Sequence, residues 1–243
     1  LGFSMNRLQD RLVTTLDGSA SLMHRELQEL YHSQEGALWQ AQNLYLGLSK
    51  LEQAFLNQDN IAILDVGFGM GYNALSTISL WLQGDGNTQV SMLSLEKDLE
   101  LFLAILASEN PWQCLMTKNW PKLLHALKAK NPQEYTALFH HPKTGKTFAW
   151  TLRFGDALLM LKTHIASDSF DIIFQDPFSP KKNPALWSKD WFANLARFTK
   201  RGSLLVSYSV ASQVRADLAA NGFICEKVPC PGPKKSWLRA TKS

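Results

Sequence analysis

A glycine-rich segment, DVGFGMG from Asp65 to Gly71, is the clearest candidate for a ligand-binding loop in this chain. Glycines such as Gly67 and Gly69 let the backbone approach a ligand closely and adopt positive φ angles. The dinucleotide fingerprint G-x-G-x-x-G does not fit, because Tyr72 stands where its third glycine belongs. An acidic residue two positions before G-x-G-x-G indicates a loop for S-adenosylmethionine instead. A tight turn that binds no ligand is the alternative.

Two acidic residues follow this loop at the ends of later predicted strands. Glu96 lies 25 residues after Gly71, where a strand-end carboxylate can accept both hydroxyl groups of a ribose. Asp156 ends a third strand and can accept a hydrogen bond from the amino group of an adenine. Taken alone, Glu96 also fits a solvated strand end and Asp156 a plain turn. The predicted cofactor-binding residues in these segments are Asp65, Gly67, Phe68, Gly69, Gly71, Asn73, Glu96 and Asp156.

The segment QDPFSPKKNP, from Gln175 to Pro184, is the candidate acceptor loop. Asp176 is its only carboxylate, Phe178 offers an aromatic face to a base, and the two lysines can reach phosphates. Its acidic-Pro-aromatic order resembles the loop of amino methyltransferases that act on nucleobases. A proline-stiffened loop that Asp176 caps is the alternative. We predict that Asp176 is catalytic and also borders the cofactor, and that the acceptor is contacted by Phe178, Lys181, Lys182 and Asn183.

Two other chemistries are poorly supported by the sequence. The three cysteines form no CxxC pair and, with six scattered histidines, predict no metal site. Gly145-Lys146-Thr147 resembles the end of a P-loop, but His140 occupies the position of the glycine required five residues earlier. Binding of a nucleoside triphosphate is therefore not expected.

The composition is that of an ordinary globular protein, with 45% apolar and 19% charged residues. No apolar run approaches the length that spans a bilayer, the first residues lack the apolar core of a signal peptide, and the odd cysteine count suits a reducing compartment. We therefore expect a cytoplasmic protein.

The charge is unevenly distributed along the chain. Residues 1–121 carry 6 Lys and Arg against 13 Asp and Glu, whereas residues 122–243 carry 19 against 8. The basic half suits a nucleic-acid partner or, equally, a solubilising surface.

The elements that position these residues alternate regularly between strand and helix. The predicted strands are Ile61–Gly67, Val90–Glu96, Thr151–Gly155, Phe170–Gln175, Gly202–Ser209, Phe223–Val228 and Trp237–Thr241. The predicted helices are Asn73–Gln83, Glu100–Ala107, Ala157–Ile165, Trp187–Thr199 and Ser212–Ala220. This order predicts an α/β, Rossmann-like fold of the class I methyltransferase type. Its seven-stranded, mostly parallel sheet has helices on both faces and an antiparallel last strand pair.

Two segments fall outside the predicted sheet. Residues 1–60 are expected to form an N-terminal arm that packs on a catalytic domain of residues 61–243. Residues 108–150 form an insertion in that domain, and its HHPKTGKT sequence is typical of a hairpin turn.

Most of the chain resembles the methyltransferase domain of the MnmC family, the bifunctional tRNA 5-methylaminomethyl-2-thiouridine biosynthesis proteins, and its stand-alone relatives. The matching segments are residues 30–46, 65–75, 93–97, 152–156 and 170–198. The resemblance implies methylation, by S-adenosylmethionine, of the exocyclic amine of 5-aminomethyl-(2-thio)uridine at the wobble position of tRNA. It also implies that Tyr31 lies against the cofactor pocket, although packing of the N-terminal arm explains this residue equally well.

The chain also departs from the family. Pro177 stands where relatives usually have glycine, and Gly-Pro-Lys-Lys at 232–235 replaces Gly-Arg-Lys-Arg. The printed sequence contains no counterpart of the family's flavin-dependent oxidase domain, so we expect a stand-alone methyltransferase and a separate enzyme that supplies the aminomethyl precursor.

The implied partner is the anticodon stem-loop of a tRNA. The tRNA backbone would contact Lys227, Lys234, Lys235, Arg239 and Lys242. The wobble base would stack on Phe178 or on Trp187. Trp187 is equally well explained as a core residue.

Two other functions stay open. An aminopropyltransferase of the polyamine-synthase type shares this fold but usually has an Asp shortly after the glycines, where this chain has Met70, Tyr72 and Asn73. The other alternative is a tRNA-binding module without catalytic activity.

Overall fold

The computed structural model describes residues 11–107, 119–164, 169–232 and 235–243. The strands in these residues are β1 (Leu12–Thr14), β2 (Ala20–Leu22), β3 (Asn60–Val66), β4 (Gln89–Glu96), β5 (Lys128–Asn131), β6 (Glu134–His140), β7 (Thr147–Phe154), β8 (Phe170–Gln175), β9 (Thr199–Ser207), β10 (Phe223–Pro229) and β11 (Ser236–Lys242). The α-helices are α1 (Ala37–Gln40), α2 (Leu51–Asn57), α3 (Tyr72–Gln83), α4 (Leu99–Leu106), α5 (Trp120–His125), α6 (Ala157–His164), α7 (Lys189–Arg197) and α8 (Ser212–Ala220). A π-helical segment, Ala41–Gly47, continues α1, and Pro184–Trp187 forms a 3₁₀ turn.

Nine of these strands form one sheet in the order β10-β11-β9-β8-β3-β4-β7-β6-β5. The five central strands, β9, β8, β3, β4 and β7, run parallel to one another. The β10–β11 hairpin joins one side of this parallel block through an antiparallel pairing of β11 with β9. The predicted Rossmann-like α/β fold with an antiparallel last strand pair is thereby confirmed.

The sheet contains two strands more than the seven predicted. All seven predicted strands are present, and β5 and β6, from the insertion, extend the sheet antiparallel to β7. The expected turn lies between β6 and β7, so β7 begins at Thr147 rather than Thr151. The four residues of β5 are all exposed and carry no apolar pattern. Only pairing with β6 identifies this segment as a strand.

Helices cover both faces of the sheet because its central strands alternate buried side chains between two apolar clusters. In β3, Ile63 belongs to the cluster beneath α3, α4 and the π-helical segment, whereas Leu64 belongs to the cluster beneath α6, α7 and α8. In β8, Phe174 and Ile173 divide in the same way. Buried on both faces, these strands read as continuous apolar runs, as parallel strands do. In the part of the chain described, no helix is long and apolar enough to cross a membrane.

Candidate active site

A cleft of about 1570 Å³ lies at the carboxyl ends of strands β3, β4, β7 and β8. Ligands of open α/β sheets bind at this edge, because the connecting loops there diverge and leave a crevice. The N-terminal segment 23–35 forms the opposite wall, so residues far apart in the sequence face one another across the cleft. The volume exceeds that of most small-molecule pockets and is large enough for a nucleoside cofactor together with an acceptor.

The glycine loop connects β3 to α3 in a backbone conformation that requires its glycines. Gly67, Gly69 and Gly71 have φ angles of 88°, 54° and 87°. A Cβ atom on Gly67 would lie 2.7 Å from the backbone oxygen of Asp176, and one on Gly69 would lie 3.1 Å from the ring of Tyr31. The loop therefore packs directly against the acceptor loop on one side and the N-terminal segment on the other. Glycines thus allow a compact loop beside the cleft, which we call the glycine cradle.

Glu96 ends β4 and supports the same loop. Its Oε2 accepts a hydrogen bond from the Gly69 amide at 2.7 Å, and its Oε1 accepts from the amides of Lys97 and Asp98 at 2.6 and 2.9 Å. Burial raises the pKa of this carboxyl, while these backbone donors oppose the rise. These three amides occupy three of the roughly four acceptor sites of the carboxylate, so Oε2 keeps one site that can accept from a ribose at the cleft wall.

Asp65 lies below the glycine loop, fully buried at the end of β3. Its Oδ2 accepts from the Ser94 hydroxyl at 2.8 Å, and Ser94 in turn accepts from the Trp150 indole at 3.1 Å. Burial, reinforced by the nearby carboxylates of Asp176 and Glu96, raises the pKa of Asp65 to about 8. Its other oxygen, Oδ1, has no hydrogen-bond partner in the described structure. Asp65 thus supports the loop from within and keeps one polar atom available.

Three other predicted cofactor residues occupy different positions. Asp156 is exposed at the cleft, where its Oδ1 accepts from the amide of Leu159 at 3.1 Å in the first turn of α6. Phe68 packs in the core against Phe102 and Trp150, with ring centroids 6.1 and 5.9 Å away, and a Cβ on Gly71 would lie 2.8 Å from its ring, so this side chain supports the loop from the core side. Tyr31, whose pKa is raised chiefly by burial, lies between Gly69 and the acceptor loop.

Asp176 directly follows β8 and borders the cleft. The Tyr45 hydroxyl donates to its Oδ1, and the Asn73 amide donates to its Oδ2 at 2.9 Å. The Asn73 side chain, predicted as a cofactor contact, is therefore directed at the candidate catalytic carboxylate. Tyr45 comes from the π-helical segment, far away in the sequence. Two elements thus orient Asp176 next to the glycine loop.

The rest of the acceptor loop is tied to the N-terminal segment. Glu29 accepts from both the amide and the hydroxyl of Ser179, at 3.1 and 2.7 Å. The Phe178 ring makes edge contacts with Tyr31 and His24, with centroids 4.8 and 5.0 Å apart. Phe178 therefore belongs to an aromatic wall of the cleft.

Trp187 does not take part in this wall. It is buried, packs against Tyr208, and donates its indole N–H to the Phe178 carbonyl at 2.7 Å. Of the two residues predicted to stack on a base, only Phe178 lines the cleft.

The lysines predicted to contact the acceptor lie near the cleft, at the same edge of the sheet. Lys181 and Lys182 are exposed on the acceptor loop, and Asn183 begins its 3₁₀ turn. Leu238 of β11 pairs with Ser207 of β9, which places the preceding Lys235 beyond the carboxyl end of β9, and Lys235 is exposed.

Two residues of the predicted basic stretch stand apart. Lys234 lies outside the described residues. Arg239 pairs with Glu226 on the adjacent strand at 2.7 Å, so its charge is partly neutralised. No acidic residue lies within this stretch of the sequence, but the pairing of β10 with β11 places Glu226 beside Arg239.

Sequence reasoning missed Tyr45, Glu29 and His24. Tyr45 lies within the segment that resembles the MnmC family, but no local pattern directs a tyrosine of one helix to a strand end 131 positions later. Glu29 and His24 precede the first strand of the main sheet and carry no motif. Only the folded chain brings them to the acceptor loop. Among the described residues, no group of His, Cys, Asp and Glu side chains is arranged to hold a metal ion.

A Rossmann-like sheet with a glycine cradle, a strand-end Glu96 and a cleft-bordering Asp176 defines a nucleoside-cofactor-dependent transferase as the class of protein. Residues 118–243 match the family model described as S-adenosyl-L-methionine-dependent methyltransferase. The match spans more than half of the chain, which therefore belongs to this family of S-adenosylmethionine-dependent methyltransferases.

Curated relatives agree with this membership. The chain is 32% identical over 222 residues to the tRNA 5-methylaminomethyl-2-thiouridine biosynthesis bifunctional protein MnmC of Aromatoleum aromaticum, and equally so to that of an Azoarcus species. Each match covers 87% of this chain and 32% of the relative. The chain thus spans about a third of the length of these relatives, and the resemblance to part of the MnmC proteins is confirmed.

Solved structures support the same fold. The crystal structure of MNMC2 from Aquifex aeolicus superposes with a TM-score of 0.77 at 26% identity, covering 95% of this chain and 70% of the other. Spermidine synthase from Thermotoga maritima superposes with a TM-score of 0.54 at 12% identity, covering 96% and 74%. The latter likeness shows a shared fold alone.

Proposed function

We propose that this chain methylates the exocyclic amine of 5-aminomethyl-(2-thio)uridine at the wobble position of tRNA and produces 5-methylaminomethyl-(2-thio)uridine. The observation that carries the proposal is Asp176, a carboxylate oriented by two neutral donors on the wall of a cleft that the glycine loop also borders. Such a carboxylate suits a cationic acceptor. The curated relatives named above point to tRNA and to this nucleoside.

The residues around the glycine loop fit S-adenosylmethionine. A Cβ at Gly67 would collide with the backbone of Asp176, one at Gly69 would press on the Tyr31 ring, and Glu96 can accept from a ribose hydroxyl group. Asp156 borders the cleft where it can accept from the adenine amino group, and Tyr31 adds an aromatic wall. When bound, the cofactor supplies an electrophilic methyl group. Asp65 would stabilise the loop from below through its bond with Ser94.

The acceptor amine determines what Asp176 has to do. A primary alkylamine has a pKa near 10, like lysine, so only about one molecule in a thousand is unprotonated and nucleophilic at neutral pH. Asp176 would bind the protonated amine and then orient the lone pair of the free amine towards the methyl group. The ammonium would first lose one proton to solvent; the amine nitrogen would then bond to the methyl carbon as the sulfur–carbon bond breaks, and the sulfur would leave as a neutral thioether. Most of the rate enhancement would come from proximity and orientation.

The tRNA would bind along the edge of the sheet that carries the cleft. Lys181 and Lys182 on the acceptor loop and Lys235 on the β10–β11 turn would contact phosphates. Phe178 would contact the splayed wobble base. We accordingly propose that the protein acts in the cytoplasm and receives its aminomethyl precursor from another enzyme.

The experiment is transfer of labelled methyl from S-adenosylmethionine to tRNA that carries 5-aminomethyluridine, with unmodified tRNA as the control. We expect label only in the first tRNA, and label uptake should fall steeply with salt. Putrescine added in place of tRNA, with decarboxylated S-adenosylmethionine as donor, tests aminopropyl transfer. Product in that reaction, or cofactor binding without transfer to the modified tRNA, would contradict the proposal.

A further inference from the structure

The hydroxyl group of Tyr45 is placed where it can control the candidate catalytic carboxylate. Tyr45 is fully buried on the π-helical segment, and its ring makes an edge contact with Phe174, with centroids 5.6 Å apart. Phenylalanine would fill the same space, so core packing does not require the hydroxyl. That hydroxyl donates to Oδ1 of Asp176. π-helical turns are frequent at functional sites, because they reorient side chains that an α-helix would place elsewhere.

Tyr45 keeps its proton at neutral pH. Burial raises the pKa of its phenol well above 10, and the negative charge of Asp176 raises it further. Tyr45 is therefore a permanent donor and not a proton acceptor in the reaction.

Asn73 completes the arrangement from the opposite side. It is buried in the first turn of α3, immediately after the glycine loop, and donates to Oδ2 of Asp176 at 2.9 Å. One donor on each oxygen, from two separate helices, fixes the plane of the carboxylate. An oriented carboxylate presents its remaining lone pairs in set directions, which a freely rotating one does not.

We propose that Tyr45 is a positioning residue for methyl transfer, which holds Asp176 in the orientation that receives the acceptor amine. This inference rests on the proposed function for the identity of that amine. Tyr45 touches neither the amine nor the cofactor in this scheme and acts only through Asp176. Its contribution should consequently appear in kcat rather than in the binding of either substrate.

The first test compares Tyr45→Phe with Tyr135→Phe, a half-buried tyrosine on strand β6 away from the cleft. Tyr45→Phe should lower kcat about 10- to 100-fold, as expected for loss of a hydrogen bond to a charged group, and should leave the Kd of S-adenosylmethionine and the KM of tRNA within about 2-fold. Tyr135→Phe should retain the wild-type kcat. A Tyr45→Phe enzyme with wild-type kcat, or one that loses cofactor binding along with kcat, would overturn the proposal.

A double-mutant cycle then separates positioning from a structural effect. If Tyr45 acts through Asp176, Tyr45→Phe should cause no further loss in an Asp176→Ala enzyme. Equal losses in both backgrounds would show that Tyr45 supports the fold independently, and would contradict the inference.

A measurement without tRNA distinguishes failure of this inference from failure of the proposed function. The side-chain carboxyl resonance of Asp176 is followed in protein labelled with ¹³C-aspartate and assigned with Asp176→Asn. It should shift in Tyr45→Phe and remain unchanged in Tyr135→Phe, whatever the acceptor. An unchanged resonance in Tyr45→Phe would refute the contact itself. A shifted resonance in a protein that does not methylate the modified tRNA would refute the proposed function only.

Discussion

The two carboxylates that border strand β8 are held in opposite ways. At its amino end, Asp171 binds Lys200 through both oxygens at 2.8 Å and also accepts from the Ala62 amide at 2.8 Å. At its carboxyl end, Asp176 accepts from the neutral side chains of Tyr45 and Asn73. Two aspartates only five positions apart are thus held in different ways.

The difference shows what each edge of the sheet is built for. A lysine partner stabilises a carboxylate and at the same time neutralises it, which suits a contact that joins neighbouring strands. Tyr45 and Asn73 bring no charge of their own, so their contacts orient Asp176 without neutralising it. A carboxylate held in this way suits the binding of a cationic amine. We therefore expect Asp171, at the amino end of β8, to contribute to stability and Asp176, at its carboxyl end, to contribute to catalysis.

Substituting each of the two carboxylates separately tests this contrast most strongly. Asp176→Ala should lower kcat by about 10²- to 10⁴-fold, because the variant lacks the carboxylate that binds and orients the reacting amine, with little change in stability. Asp171→Asn should keep the wild-type kcat and lose about 1–3 kcal/mol of unfolding free energy, because Lys200 loses its charged partner. Steady-state kinetics and urea unfolding of both variants provide the check. An unchanged kcat in Asp176→Ala would remove the contrast.

Two glycines extend the comparison to the backbone. Gly67 and Gly202 have φ angles of 88° and 82°, but a Cβ would lie 2.7 Å from the Asp176 oxygen at Gly67 and would meet nothing within 4 Å at Gly202. Gly202→Ala should cost only the strain of a left-handed residue, about 1–2 kcal/mol. Gly67→Ala should cost more and should also abolish cofactor binding, since the glycine and acceptor loops must separate. Calorimetric titration with S-adenosylmethionine and thermal unfolding measure both effects. Equal losses in the two variants would show that the close approach has no role.

Glu96 provides a smaller test at the same edge. Glu96→Gln should weaken S-adenosylmethionine binding about 10- to 100-fold, because the amide nitrogen that replaces one carboxylate oxygen cannot accept hydrogen bonds from the backbone amides or the ribose. Burial raises the pKa of Glu96, so wild-type affinity should begin to fall on acidification at a higher pH than an ordinary glutamate would cause. Titration calorimetry between pH 5 and pH 8 follows both changes. An affinity that is independent of Glu96 would place the ribose elsewhere.

Asp65 is expected to affect stability rather than activity. Its pKa of about 8 in the folded protein lies above the value of 3.8 for a free aspartate, so the folded state binds the extra proton between these values. Stability should therefore fall as the pH rises through this window, by up to about 1.4 kcal/mol per pH unit. Asp65→Asn should remove this slope, as urea unfolding at several pH values would reveal. A slope that persists in Asp65→Asn would assign it to another group.

The sequence was most informative where function depends on local pattern. The glycines of DVGFGMG and the acids that end β4 and β7 were recognisable because strand–loop–helix junctions impose residue types at short spacing. The βαβ alternation predicted the parallel sheet for the same reason. These features require only contacts between neighbours in the chain.

The features that escaped sequence reasoning depend on long-range contacts. Strand β5 is exposed throughout and exists only by pairing with β6. Tyr45 meets Asp176 across 131 positions, through a π-helical segment whose side-chain directions no helical periodicity predicts. Glu29 binds Ser179 across 150 positions. Such contacts leave no pattern in one sequence, although they determine the orientation of the candidate catalytic carboxylate.

The central claim is that this chain methylates an alkylamine on tRNA in the cleft that Asp176 borders. The most direct measurement locates the transferred methyl group by nucleoside digestion and fragmentation mass spectrometry after reaction with tRNA that carries 5-aminomethyluridine. We predict one added methyl group, on the side-chain nitrogen of that nucleoside, and its loss with Asp176→Ala but not with Asp171→Asn. A methyl group on the uracil ring or on the ribose, or methylation that persists in Asp176→Ala, would contradict the account.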